Sequence, residues 1–359
     1  FTDPGVTAND TLDGNLTANV VTIGTVDINT PGTYTLTYTL SDAAGNAASS
    51  VTRNVTVVDT TTPIITRTGD QNITHEAATS YTDLGATVND TLEGNLTANV
   101  VTTGTVDINT PGTYTLTYTV SDAAGNAAIS VTRNVTIVDT TAPIITRTGD
   151  QNITHEAATS YTDLGATSND TLDGNLTANV MTTGTVDINT PGTYTLTYTI
   201  SDTAGNAASP VTRNVIVMDT TAPIITRTGD QNITHEAATT FTDIGATASD
   251  TLDGNLTANV VTIGIVDTGT PGTYTLTYTA SDAAGNGATT QQRTITVKDT
   301  TAPVITLEGN ATVDLWVWET YTEEGATVSD TLDGNLTNAI TISGTVDTGT
   351  PGTYTLTYT

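Results

Sequence analysis

Superposing Phe1, Tyr81, Tyr161, Phe241 and Tyr321 aligns the whole sequence on itself at a period of 80 residues without a gap. Such periodicity makes the chain an array of equivalent structural units and rules out one large continuous core. Residues 61–140 and 141–220 agree at 69 of 80 positions, as recent duplication would leave them. Number and spacing of units then matter more than specialised individual sites. The division reads as a partial unit at 1–60, whole units at 61–140, 141–220 and 221–300, and a partial, diverged unit at 301–359. Both ends are incomplete units, so the chain is expected to be a window on a longer array. The alternative is an end strand exchanged between molecules.

Each unit reads as short strands and turns. Threonine supplies 93 of 359 residues, and there is a single lysine, Lys298. Abundant threonine with little Leu, Lys, Arg and Met disfavours helix and suits strands. In the second unit Gly112-Thr-Tyr114-Thr-Leu116-Thr-Tyr118-Thr-Val120 alternates apolar residues with threonine at period two, the pattern of a strand buried on one face. Asp122-Ala-Ala-Gly125-Asn126 turns the chain into a second strand ending at Val138, a hairpin with a glycine-bulge turn. Ile64-Ile65, the segment around Ile73, Tyr81 to Val88, and Leu96 to Val106 supply the others. Roughly six to eight strands with frequent turns indicate a small all-β sandwich. Asp139-Thr-Thr-Ala-Pro143 is the linker, with equivalent prolines at Pro63, Pro223 and Pro303.

Charge excludes several functions. With 38 acidic and 8 basic side chains the formal charge is −30, so a nucleic acid or an anionic membrane surface would repel the chain. No apolar stretch is long enough to span a bilayer, so no membrane insertion is expected in this segment. The absence of cysteine excludes disulfides, thiol catalysis and thiolate zinc sites, and fits a location outside the cell.

The motifs Tyr-Thr-Asp-x-Gly-Ala-Thr, Asp-Thr-Leu-Asp/Glu-Gly-Asn-Leu-Thr, Gly-Thr-Tyr-Thr-Leu-Thr-Tyr, Ser-Asp-x-Ala-Gly-Asn and Val-x-Asp-Thr-Thr-Ala-Pro resemble the bacterial immunoglobulin-like and hyalin-type repeats of prokaryotic cell-surface proteins and adhesins. The resemblance covers all but 311–319, where Ala-Thr-Val-Asp-Leu-Trp-Val-Trp-Glu replaces Gln-Asn-Ile-Thr-His-Glu-Ala-Ala-Thr. It implies a tandem array of immunoglobulin-like β-sandwich domains serving as an extracellular stalk, fibre or adhesin segment, in a group of modules of which some bind calcium. Fold alone does not give function.

The carboxylates are the most informative polar groups. Strand parity places the loop Asn89–Asn95 and the loop carrying Asp122 and Asn126 at the end of the domain where the preceding linker arrives with Asp59. Asp59, Asp90, Glu93, Asp122 and Asn126 would then meet at one junction. The same logic gathers Asp139, Asp170, Asp173, Asp202 and Asn206 at the next, then Asp219, Asp250, Asp253, Asp282 and Asn286, and finally Asp299, Asp330 and Asp333. Carboxylate and amide oxygens are ligands for Ca2+, and an ion shared by two domains would stiffen the linker. The competing reading is a set of solvated Asx turns. An EF-hand is excluded, because the twelfth position from Asp90 is Val101.

Other candidates are weaker. His75, His155 and His235 occur once per unit, each before a glutamate, and one histidine builds neither a tetrahedral zinc site nor a triad. An enzyme is therefore not expected. Tyr114 and Tyr118 share one strand face and read as core, Tyr114 as a tyrosine corner. Trp316 and Trp318 form either a buried edge or an exposed ligand contact for carbohydrate. Asn15, Asn72, Asn95, Asn152, Asn175, Asn232, Asn255 and Asn335 head Asn-x-Ser/Thr sequons and are candidate glycan attachment sites in a suitable secretory context. The expected partners are neighbouring repeats or copies of the chain itself, and cell-surface polysaccharide or glycans. The alternatives to a spacer are a carbohydrate- or cell-binding array and a subunit of a self-assembling filament.

Overall fold

A computed structural model describes all residues, 1–359. The second repeat shows the architecture. Its strands are β1 (Ile64–Arg67), β2 (Asn72–Glu76), β3 (Ala86–Asp90), β4 (Gly94–Asn95), β5 (Val101–Thr103), β6 (Gly112–Thr119) and β7 (Val131–Val138). One sheet has the order β1-β3-β4 and the other β5-β6-β7-β2. All pairings are antiparallel except β7 with β2, which runs parallel from Asn134 against Asn72 to Val138 against Glu76. Strand order and register recur in the fourth repeat, from β-strand Ile224–Arg227 to Gln291–Lys298.

Alternation decides which side chains are buried. Along β6, Leu116 and Tyr118 face the core while threonines face outward, and along β7 Val135 and Ile137 are buried on the same side. With Ile65, Ala77, Ala86, Val88 and Val120 they form one apolar cluster between the sheets. Tyr114 caps it as the expected tyrosine corner, its hydroxyl donating to the Thr110 carbonyl at 2.8 Å. The segment 81–85 is irregular, not part of a strand, because Asp83 turns inward to meet an arginine.

That arginine is Arg133, 1% exposed in the middle of β7. It pairs with Asp83, which also accepts the Tyr118 hydroxyl at 2.8 Å, and it donates to the Thr68 carbonyl. A buried guanidinium is tolerated because a counter-charge and carbonyls satisfy it. The same pair recurs as Arg213–Asp163 at 2.7 Å and as Arg293–Asp243. Close backbone approach also selects glycine: a Cβ on Gly104, at φ +99°, would lie 2.3 Å from the Thr115 carbonyl oxygen.

The chain divides into two compact units, Phe1–Thr146 with Ala166–Met181 and Tyr198–Val211, and Arg147–Gly165 with Thr182–Thr197 and Thr212–Thr359. The first contains the partial first repeat, the whole second repeat and the three-stranded sheet of the third. The second contains the four-stranded sheet of the third repeat, the fourth repeat and the fifth.

Candidate metal centre at the repeat junctions

The turn joining the third and fourth strands of each repeat is built by an aspartate. In the third repeat Asp170 ends strand Ala166–Asp170, and its Oδ1 accepts the N–H groups of Leu172 at 2.7 Å and Asp173 at 2.9 Å. This Asx turn explains the local Asp-Thr-Leu-Asp-Gly sequence, with Gly174 taking φ +71°. It leaves the second oxygen unused: Oδ2 of Asp170, a residue only 3% exposed, has no hydrogen-bond partner.

The linker supplies the next carboxylate. One ligand oxygen from each of Asp139, Asp170 and Asp173 lies within 4.8 Å of the others. The same holds for Asp219, Asp250 and Asp253, and for Asp299, Asp330 and Asp333. Two oxygens each about 2.4 Å from one calcium ion can be at most about 4.8 Å apart, so the spacing fits a shared cation. Asp139, Asp219 and Asp250 also keep a buried Oδ2 without a partner, as does Asp330. At the first junction the unpartnered oxygens are Asp59 Oδ2, Asp90 Oδ2 and Glu93 Oε2.

Electrostatics reflects the crowding. Burial, and then the charges of Asp202, Asp170 and Glu76, push the Asp139 carboxyl above the usual range. Burial with Asp250, Asp282 and Glu156 does the same to Asp219. Carboxylates forced together in this way gain most from a cation.

The Asp/Asn loops play a different part. Both oxygens of Asp122 are taken by Asn126, one by its N–H at 2.7 Å and one by its side-chain amide at 2.8 Å. That amide also donates to the Asp59 carbonyl at 3.1 Å, as Asn206 does to Asp139 and Asn286 to Asp219. Burial alone would raise the carboxyls of Asp122, Asp202 and Asp282, yet the asparagine bonds outweigh it and lower them. These residues hold the linker main chain and stand outside the three-carboxylate groups.

Two contributors had escaped the sequence reading. Leu172, inside the acidic turn, packs against the apolar cluster of the second repeat, and Leu332 packs likewise against that of the fourth. Glu76, at the end of β2, receives N–H and hydroxyl bonds from Thr140 and Thr141 beside Asp139. The signal available for both was their fixed register, 80 residues apart, beside the acidic positions.

The remaining candidates lie elsewhere. The rings of His75, His155 and His235 stack edge-on against Tyr81, Tyr161 and Phe241. The sequon residues Asn15, Asn72, Asn95, Asn152, Asn175, Asn232, Asn255 and Asn335 are all exposed. Trp316 and Trp318 are 85% and 81% exposed, so the buried-edge alternative does not hold. Their segment forms no strand, and Trp318 occupies a left-handed turn at φ +70°, the place of Ala78 in the second repeat. A groove of about 620 Å³ beside Trp316 is lined by Tyr321, Tyr354, Tyr358 and Glu323, in the position that β7 fills in the second repeat.

Similarity to known proteins follows the repeat. Hyalin of Strongylocentrotus purpuratus is 35% identical over 309 residues, which are 78% of this chain and 24% of hyalin. Hyalin of Lytechinus variegatus is 32% identical over 306 residues, again 78% of this chain and 55% of that protein. The chain thus spans about a quarter of one and about half of the other. Among solved structures, the protocadherin γB4 extracellular domain aligns with 87% of this chain and 66% of its own at 12% identity, with a TM-score of 0.33, too loose to bear on function. The model of the bacterial surface protein Ig-like domain matches residues 1–57, 65–137, 145–217, 225–297 and 305–359. The five matched stretches coincide with the repeats whose sheets and junctions are described above, and the chain belongs to that family.

Proposed function

We propose that this chain is a non-catalytic extracellular spacer, a stalk, fibre or adhesin segment whose repeat junctions bind calcium. The observation that carries the reading is the recurrence, at three successive linkers, of three carboxylates within 4.8 Å of one another, each group holding at least one buried and unpartnered oxygen. A single acidic turn would be ordinary. A group built jointly from a linker and the following repeat, recurring with the 80-residue period, is what an ion-stiffened array requires. Calcium suits it better than magnesium, because oxygens on separate elements close more readily around a large, geometrically tolerant ion.

In this reading Asp59, Asp90 and Glu93, Asp139, Asp170 and Asp173, Asp219, Asp250 and Asp253, and Asp299, Asp330 and Asp333 supply ligands. Asp122, Asp202, Asp282 and their asparagines fix the linker carbonyls. The acidic surface keeps neighbouring chains apart and soluble.

Small-angle scattering and calorimetric unfolding, run in millimolar calcium and then in EDTA, test the proposal. Calcium should raise the melting temperature and lengthen and stiffen the particle. No change in either would leave a proline-restricted spacer whose carboxylates serve as turns.

A second reading, recognition of cell-surface glycans by the fifth repeat, is favoured by the exposure of Trp316 and Trp318. Binding to a glycan array that disappears in a Trp316→Ala, Trp318→Ala variant would support it.

A further inference from the structure

The glutamate of each His-Glu pair has no metal or catalytic role in the readings above, yet it makes more hydrogen bonds than any other carboxylate near the linker. Glu76 Oε1 accepts the N–H of Thr140 at 2.9 Å, the N–H of Thr141 at 3.0 Å and the Thr141 hydroxyl at 2.7 Å, while Oε2 accepts the Thr140 hydroxyl at 2.7 Å. Glu236 repeats all four bonds with Thr300 and Thr301. Glu156 holds Thr220 through N–H and hydroxyl, and Thr221 through its hydroxyl. In every case the threonines directly follow the linker aspartate, Asp139, Asp219 or Asp299.

The molecule contains its own comparison. At the linker after the first repeat no glutamate reaches the corresponding threonine. There the Thr61 hydroxyl bonds Asp59 Oδ1 at 2.6 Å, and the Thr61 N–H bonds the same oxygen at 3.0 Å. In the glutamate-held linkers the hydroxyl has left the aspartate, which keeps only a long N–H contact: 3.3 Å at Asp139, 3.2 Å at Asp219 and 3.3 Å at Asp299. A hydroxyl donated to a carboxylate oxygen draws on the negative charge a cation would use and fixes the group's rotation.

We infer that Glu76, Glu156 and Glu236 are positioning residues for calcium: each diverts a threonine hydroxyl from the linker aspartate and so presents that aspartate uncommitted to the ion. This rests on the reading of the junctions as calcium sites. The glutamates act through the threonines and do not themselves join the carboxylate groups. In the diverged fifth repeat the corresponding position is Trp316, so the His-Glu device is absent there. The function of this glutamate therefore lies in the linker that follows its own repeat.

The test is calcium titration of the full chain by isothermal calorimetry, with circular dichroism in EDTA to establish that each variant is folded. The triple variant Glu76→Gln, Glu156→Gln, Glu236→Gln should bind calcium about 10- to 100-fold more weakly, as loss of a group that orients a ligand does elsewhere. Adding Thr141→Val, Thr221→Val and Thr301→Val removes the hydroxyls that fall back onto the aspartates, and should restore most of the affinity. A role through charge or general stability predicts no such rescue. Unchanged affinity in the triple variant, or a sixfold variant no better than the triple, overturns the inference while leaving the junction sites in place. A wild-type chain that takes no calcium overturns both, and in that event the Asp170→Asn variant will also match wild type.

Discussion

Replacing Ser168 by valine should stabilise the third repeat. Ser168 lies on strand Ala166–Asp170, is 3% exposed, and its hydroxyl has no hydrogen-bond partner. A buried unpaired hydroxyl costs about 1–3 kcal/mol. The register that places Ser168 here places Val88 in the second repeat and Val328 in the fifth, 3% and 8% exposed. The backbone environment thus already accommodates valine. Removing the orphan hydroxyl and adding apolar volume at about 0.8 kcal/mol per methylene gives a gain of about 2 kcal/mol after allowance for imperfect packing. For a unit of this size that is a rise of roughly 10 °C in melting temperature. Calorimetry reads the shift, and hydrogen exchange at Ala166–Asp170 localises it. Ser168→Ala separates the two parts, since it removes the hydroxyl alone and should recover about 1 kcal/mol. Equal or lower stability in both variants would refute the argument, because it would mean that the hydroxyl is satisfied in solution.

Asp163→Ala should destabilise by about 3–5 kcal/mol, since it strands the buried guanidinium of Arg213, with urea unfolding as the measure. Leu172→Ala should leave the third repeat folded and lower the melting temperature of the second, whose apolar cluster the leucine touches, as calorimetry will show. Ala158→Gly should be neutral or stabilising despite added chain entropy, because Ala158 sits at φ +54°; denaturant midpoints decide it. In EDTA the pH dependence should have two signs. Glu76 and Glu156 are held down to about 2 by the threonine side-chain hydroxyls, then by the backbone N–H groups, so their contribution is full above the ordinary 4.5 and is lost as pH falls toward 2. Asp139 and Asp219 are raised above 3.8, so they favour folding at low pH and cost stability as pH rises through their folded values. Melting temperature in EDTA should therefore climb on mild acidification and collapse in strong acid, and calcium should remove the first effect.

Much of this was legible in the sequence because the relevant patterns are local. Alternation from Gly112 to Val120 fixes which side of the strand is buried, and Pro-Gly and Asp-Ala-Ala-Gly-Asn fix where it begins and turns. The convergence of Asp139 with Asp170 and Asp173 followed from strand parity alone. What could not be read depends on contacts made across the sandwich. Nothing near Arg133 in the chain marks it as buried, since its counter-charge, Asp83, lies 50 residues away. Glu76 meets Thr140 across 64 residues, through the parallel pairing of β2 and β7. The irregular path at 81–85 follows from the inward turn of Asp83, which overrides the strand propensity of its neighbours. Trp316 and Trp318 share a face only if their segment is extended, and a left-handed residue prevents that.

The parallel pairing of β2 with β7 has one more consequence. β2 lies near the start of its repeat and β7 at its end, so tension applied along the chain pulls these neighbouring strands in opposite directions along their length. Bridges loaded in this shear geometry, from Asn72–Asn134 to Glu76–Val138, must fail together, whereas an antiparallel hairpin pulled at its open end loses them one at a time. Arg133, which fastens the middle of β7 to Asp83 and to the Thr68 carbonyl, adds a cross-tie at the same place. Each complete repeat is therefore expected to resist stretching far better than its modest core suggests.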